Sequence, residues 1–122
     1  MTKVSSNYIK TADDIFSKLI RKKGLCIRCG RSQFNTPIEC AHIIGRSNIP
    51  LRWDANNAVP LCLDCHRWGH ANPRLFMEWF ENKFPDRYAY ITLHKNDVWR
   101  LQWYDYESMI KMFREYAKKS KI

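Results

Sequence analysis

The sequence predicts an α+β fold in which two strands and a helix form a small unit, closed by a four-cysteine zinc site and flanked by further helices. Three observations predict it. Two Cys-x-x-Cys pairs, Cys26/Cys29 and Cys62/Cys65, stand at a spacing that lets both sulfurs of a pair reach one ion, so two pairs complete a closed tetrahedral site. Between them Ile38-Glu-Cys-Ala-His-Ile-Ile44 alternates as a strand does, and Ala58-Val-Pro-Leu61 is short enough to return beside it. From Leu63 the pattern turns helical, with His66 and His70 four apart on one face.

At 122 residues the chain reads as one domain, 1–122, with its core over 25–71, an N-terminal helix at about 12–23 and a C-terminal extension over 72–122. A core of that size is sufficient but not generous, so a metal staple helps. No apolar run is long enough for a signal peptide or a membrane span, and a soluble, cytoplasmic protein with no membrane partner is expected. In that reducing compartment disulfides are disfavoured. Five cysteines, four of them at ligand spacing, then point to metal rather than bridges. The net charge of +9 and pI near 9.5 suit a polyanion, because each Lys or Arg that neutralises a phosphate releases condensed counterions. Charge alone does not separate nucleic acid from a membrane surface or from an ordinary solvated face.

Residues 1–10 show no periodicity and are expected to dock loosely. Thr11 followed by Asp14 resembles a capping box, Gly24 offers a stop, and Ile15, Phe16, Leu19 and Ile20 form one stripe between them. Leu25 to Arg31 reads as a zinc knuckle, with Gly30 allowing the return after Cys29. On the first strand a period of two puts Ile38, Cys40, His42 and Ile44 on one face. Gly45 to Asn57 is a loop carrying Arg46 and Arg52, and Pro60 puts the returning strand at an edge. Asn72-Pro73 starts a helix that runs, through Leu75, Phe76, Trp79 and Phe80, to Pro85. Tyr88 to Leu101 reads as a hairpin turning at Asn96-Asp97, and Asp105 caps a final helix. Met109, Ile110, Met112, Phe113 and Tyr116 stripe that helix, which ends in a basic run through Lys121.

A closed cysteine site has no open position, so the four cysteines are read as structural and the enclosed histidines as the chemistry. His42 is the candidate general base, since a neutral imidazole accepts a proton near neutral pH without prior tuning. Its plainer alternative is a core histidine. His66 and His70 can converge on one divalent cation, although His66 could instead replace a cysteine at the zinc and His70 could serve the helix dipole. Arg46, just past the base, has the forked geometry to clamp a phosphate, and Arg46, Arg52 and Arg67 are the candidate nucleic-acid contacts. Cys40 reads as a small buried apolar residue. Trp53 and Trp68 are near enough to pack around the site or stack on bases, and His94 has no role.

The order Cys-x-x-Cys, Ala41-His42-Ile43, Asp54-Ala-Asn-Asn57, then Cys62-x-x-Cys65-His66 with His70 following resembles the HNH, or ββα-metal, endonucleases over residues 26–70. Ile43-Ile-Gly-Arg46 and Leu51-Arg-Trp-Asp54 are similar to short phage-encoded members of the zinc-stapled branch. The resemblance implies a single-metal DNA endonuclease that leaves a 5′-phosphate, with His42 as base and with Mg²⁺ or Mn²⁺ on His66 and His70. It also implies that Asn57, or less readily Asn56, steadies the base-bearing hairpin or binds the ion. Many members carry a first metal ligand just before the base, where this chain has Ala41. His66 and His70 could then suffice, Asn57 or Asp54 could be recruited, or His42 could itself be a ligand. The departure leaves a second function open, a zinc-stapled DNA-binding module without catalysis. An RNA nuclease has no positive sign in the sequence, and a homodimer is left open.

Overall fold

The computed structural model describes residues 5–119; Lys121 of the terminal basic run and the first four residues lie outside them. Helix α1 spans Ser6–Ile20, so it begins six residues before the expected start. Ser5, not Thr11, is the cap, its side-chain oxygen accepting from the Asn7 N–H at 3.2 Å. The apolar stripe runs back with it: Tyr8, Ile9 and Ala12 pack in the same cluster as Phe16, which rewards the extra turns. After the helix, Gly24 takes φ 63°, and a Cβ there would lie 2.6 Å from Gln33 Cδ. Gly30, at φ 82°, closes the knuckle as expected.

Strands β1 (Ile38–His42) and β2 (Ala58–Cys62) pair antiparallel, with His42 opposite Ala58 and Ile38 opposite Cys62. β1 ends at His42 rather than Ile44, because beyond it the partner is a loop. Ile43 N–H donates to the Asn57 carbonyl, and Ile44 N–H to the Asn57 side-chain oxygen. The loop between the strands has structure of its own, a turn of helix α2 (Ile49–Arg52) and a 3₁₀ turn at Ala55–Asn57 capped by Asp54. Helix α3 (Leu63–Ala71) follows β2 directly, which completes the strand, strand, helix unit.

Helix α4 (Pro73–Lys83) begins at the expected proline, but Asn72 does not cap it; its Nδ2 donates back to the Trp68 carbonyl and closes α3 instead. The expected hairpin is absent. Residues Pro85–His94 are helix α5, with Pro85 in the first turn and Asp86 beside it. Phe84, Tyr88 and Ile91 recur at helical spacing and pack into one core cluster, and that burial overrides the strand propensity of Tyr90-Ile-Thr-Leu93. Asn96-Asp97 terminates the helix, Asp97 pairing with His94 Nδ1 at 2.7 Å. Helix α6 (Trp103–Lys119) starts with Asp105 reaching back to the Gln102 N–H at 2.8 Å, one half of a capping box. Its stripe is narrower than expected: Ile110 is buried, while Met112 and Tyr116 are more than half exposed.

The small sheet is covered on both faces. Val59, Leu61 and Ala41 pack with Phe76, Phe80 and Ile91 from α4 and α5, while Ala58 and Cys40 join the cluster formed by α1, α6 and Trp53. No helix among the described residues is long and apolar enough to cross a membrane.

Candidate active site and metal centre

The four sulfurs of Cys26, Cys29, Cys62 and Cys65 lie within 4.8 Å of one another, and Cys29 and Cys62 are 3.6 Å apart. Sulfurs bound at about 2.3 Å around a tetrahedral ion would be separated by roughly 3.8 Å, so the cluster is close to the spacing that zinc requires. Local sequence explains the placement. In each Cys-x-x-Cys turn the second cysteine's N–H points at the first sulfur, at 3.4 Å for both Cys29 to Cys26 and Cys65 to Cys62. Burial pushes the Cys65 thiol up to about 12, whereas around Cys26 burial is outweighed by backbone N–H donors, which bring it to about 6. Such a set becomes fully thiolate only around a cation. Arg28 stacks 3.6 Å over Trp68 and donates to Cys65 Sγ at 3.3 Å, placing a fixed positive charge against the cluster.

A cleft of about 380 Å³ opens between α1, the end of β1 and α3, lined by Asp13, Phe16, Ser17, Cys40, His42, Gly45, Arg46, His66 and His70. Three histidines therefore share one cavity, although His42 is 24 residues from His66 in sequence. His42 Nε2 lies 2.8 Å from the Arg52 carbonyl. A carbonyl only accepts, so Nε2 carries the hydrogen and Nδ1 holds the lone pair. Burial pushes the His42 pKa below its ordinary value, and the Arg46 guanidinium adds to that, against the Arg52 carbonyl and Asp13. The neutral imidazole is thus favoured.

His66 and His70 lie side by side on α3 with ring centroids 4.7 Å apart and planes tilted by 32°. His66 Nδ1 meets Glu39 Oε1 at 2.9 Å, and a carboxylate in that position keeps the hydrogen on Nδ1 and frees Nε2 for a cation. Two imidazoles thus share an open cleft, one of them oriented by a carboxylate, and together they could offer two nitrogen donors to a divalent cation. Glu39 was not legible as part of a site, since only its register on β1 brings it to α3.

The other candidates separate. Ala41 is wholly buried in the core, so nothing at that position reaches an ion. Asn57 is also fully buried and outside the cleft lining; its Nδ2 donates to the Ile44 and Leu51 carbonyls at 2.9 and 3.1 Å, and its Oδ1 accepts from Ile44 N–H at 2.8 Å. Asp54 caps the 3₁₀ turn and lines a different cavity. Arg46 stands at the cleft with its side chain 62% exposed, and Arg67 is exposed on α3. Arg52 is not free: its guanidinium forks onto Asp13 at 2.6 and 3.1 Å and donates to the Arg46 carbonyl. Trp53 is buried against Tyr106 and hydrogen-bonded to Asp13, so it presents no free face for a base, and Arg28 covers one face of the Trp68 ring. His94 pairs with Asp97, away from the cleft.

Residues 26–72 match the family model described as HNH endonuclease. No curated protein and no solved structure gives a significant match. The match is to the family as a whole and does not show similarity to its phage-encoded members.

Proposed function

We propose that the protein, whose residues 26–72 match the family model described as HNH endonuclease, is a metal-dependent DNA endonuclease in which His42 is the general base. The observation that carries this reading is the three-histidine cleft in which the His42 tautomer is set by the Arg52 carbonyl. With Nε2 protonated and the ring held neutral by burial, Nδ1 accepts the proton of a water as that water attacks the phosphorus. His66 and His70 would hold the cation, Mg²⁺ or Mn²⁺. When bound, the cation supplies the positive charge that stabilises the phosphoryl oxygens as negative charge builds on them. Glu39 orients His66, Arg46 at the open side of the cleft pairs with the phosphate, and Arg67 extends the basic contact along α3. Asn57 acts indirectly, by holding the loop that carries the Arg52 carbonyl.

The buried Ala41 favours a second reading, a zinc-stapled module that binds DNA without cutting it. Incubating plasmid with wild type and with His42→Ala, in Mg²⁺ or Mn²⁺ and with or without chelator, separates the two. Chelator-sensitive nicking that ends in a 5′-phosphate, lost in His42→Ala while DNA binding persists, is the expected result. Binding with no cutting at any metal concentration leaves the module, and undiminished cutting by His42→Ala removes His42 as the base. An RNA substrate run alongside tests the choice of nucleic acid.

A further inference from the structure

We propose that Asp13, on α1 and outside the residues that match the family, is a positioning residue for the reaction: it acts through Arg52 to fix the carbonyl that sets the tautomer of His42. This rests on the reading of His42 as the base and adds an element to it that residues 26–72 do not contain.

A carboxylate side chain only 20% exposed needs partners, and Asp13 has them all from one loop. Its Oδ1 accepts from Arg52 Nε at 3.1 Å and Trp53 Nε1 at 2.9 Å; its Oδ2 accepts from Arg52 Nη2 at 2.6 Å and lies 3.7 Å from Arg46 Nη1. A guanidinium forked on a carboxylate is held in angle as well as in distance. The same Arg52 donates through Nη1 to the Arg46 carbonyl at 3.2 Å, so both ends of the segment after the base are tied to α1. The backbone carbonyl of that residue is the one facing His42 Nε2 at 2.8 Å. Helix α1 is itself a firm anchor. Phe16 packs against the His42 ring, with centroids 5.9 Å apart, and Tyr8 donates to Glu107 of α6 at 2.7 Å.

Without the carboxylate, Arg52 keeps one backbone acceptor and an uncompensated charge at a side chain only 18% exposed. Its release to solvent would draw the loop and its carbonyl away from the imidazole. A base misplaced by about 1 Å loses on the order of 100-fold in rate.

The test uses the full zinc-loaded chain with wild type, Asp13→Asn and His42→Ala, and measures kcat and KM for plasmid nicking, DNA affinity by anisotropy and the ¹H–¹⁵N spectrum of the His42 ring. Asn keeps the size and an acceptor for Trp53 but loses the charged fork. Expected is a roughly 10- to 100-fold fall in kcat with KM, DNA affinity and zinc content unchanged, and a His42 ring that no longer holds a single Nε2–H tautomer. Wild-type kcat in Asp13→Asn, or reduced kcat with an unaltered tautomer, overturns the proposal while a dead His42→Ala leaves the reading of the base intact. Full activity in His42→Ala removes that reading instead. If Asp13→Asn does not fold, Arg52→Lys keeps the charge and removes the fork, and it must show the same loss of kcat and tautomer; wild-type behaviour there also overturns the proposal.

Discussion

Asn57→Ala is the substitution whose consequence follows most directly from the geometry. The Asn57 amide makes three hydrogen bonds, to the Ile44 N–H, the Ile44 carbonyl and the Leu51 carbonyl, and the residue is fully buried. Truncation removes all three and leaves their partners behind. A net hydrogen bond contributes about 1 kcal/mol, and a buried group left unsatisfied costs about 1–3 kcal/mol. Ile44 is only half-buried and can recruit water, and the Leu51 carbonyl keeps the Asp54 N–H at 3.2 Å as a second partner, so all three bonds are taken at the lower value. The expected destabilisation is about 3 kcal/mol, a fall in Tm of roughly 10 °C for a domain of this size. Urea denaturation of zinc-saturated protein measures it. Asn56→Ala is the control, because Asn56 is only half-buried and receives its contact through its backbone N–H, so it should lie within about 0.5 kcal/mol of wild type. A loss below about 1 kcal/mol for Asn57→Ala, or an equal loss for Asn56→Ala, would refute the reasoning.

Three further outcomes are expected. Stripping the ion from the four-cysteine cluster should unfold the chain, because apparent binding energies of structural zinc, about 10–16 kcal/mol, match or exceed the whole stability of a small domain; circular dichroism after chelation reads this, and folded protein without zinc by elemental analysis contradicts it. Glu39→Ala should raise the divalent-ion concentration needed for half-maximal nicking by about 10- to 100-fold, with excess ion restoring the rate; an unchanged requirement removes Glu39 from the site. The acid limb of kcat/KM should lie below about pH 6.5, because burial depresses the His42 pKa and the base acts unprotonated. The same shift has a stability sign: the unfolded chain binds the proton more readily, so this contribution is present above about pH 6.5 and is lost as pH falls through the folded value. A limb centred above pH 6.5 would mean that the imidazole is not held neutral by its surroundings.

What the sequence made legible was chemistry at fixed spacing. The two cysteine pairs, the alternation leading into His42 and the four-residue step from His66 to His70 each follow from ligand reach or backbone period, and β2, α3, the sulfur cluster and β1, although two residues shorter than its alternating run, are all present in the fold. Contacts across long separations were not legible. Asp13 meets Arg52 39 residues away and Glu39 meets His66 27 away, and neither acidic residue has a neighbour in sequence that marks it. Competing local signals produced the remaining errors. Ser5 and Thr11 are both acceptable helix caps, and only the packing of Tyr8 and Ile9 selects the earlier one. The aromatic and β-branched residues of Tyr90-Ile-Thr-Leu93 favour a strand until Ile91 finds its place beside Phe80 in the core.

The guanidinium of Arg28, clamped between the Trp68 ring and Cys65 Sγ, has a consequence for how the protein meets an acidic surrounding. Acid dislodges such an ion by adding hydrogens to the sulfurs that grip it. A neighbouring cation that cannot itself lose its charge opposes each of those additions, so the staple should hold to a lower pH than an unguarded four-sulfur cluster would. Because Trp68 and Cys65 belong to the same helix as His66 and His70, that resistance also protects the footing of the two imidazoles.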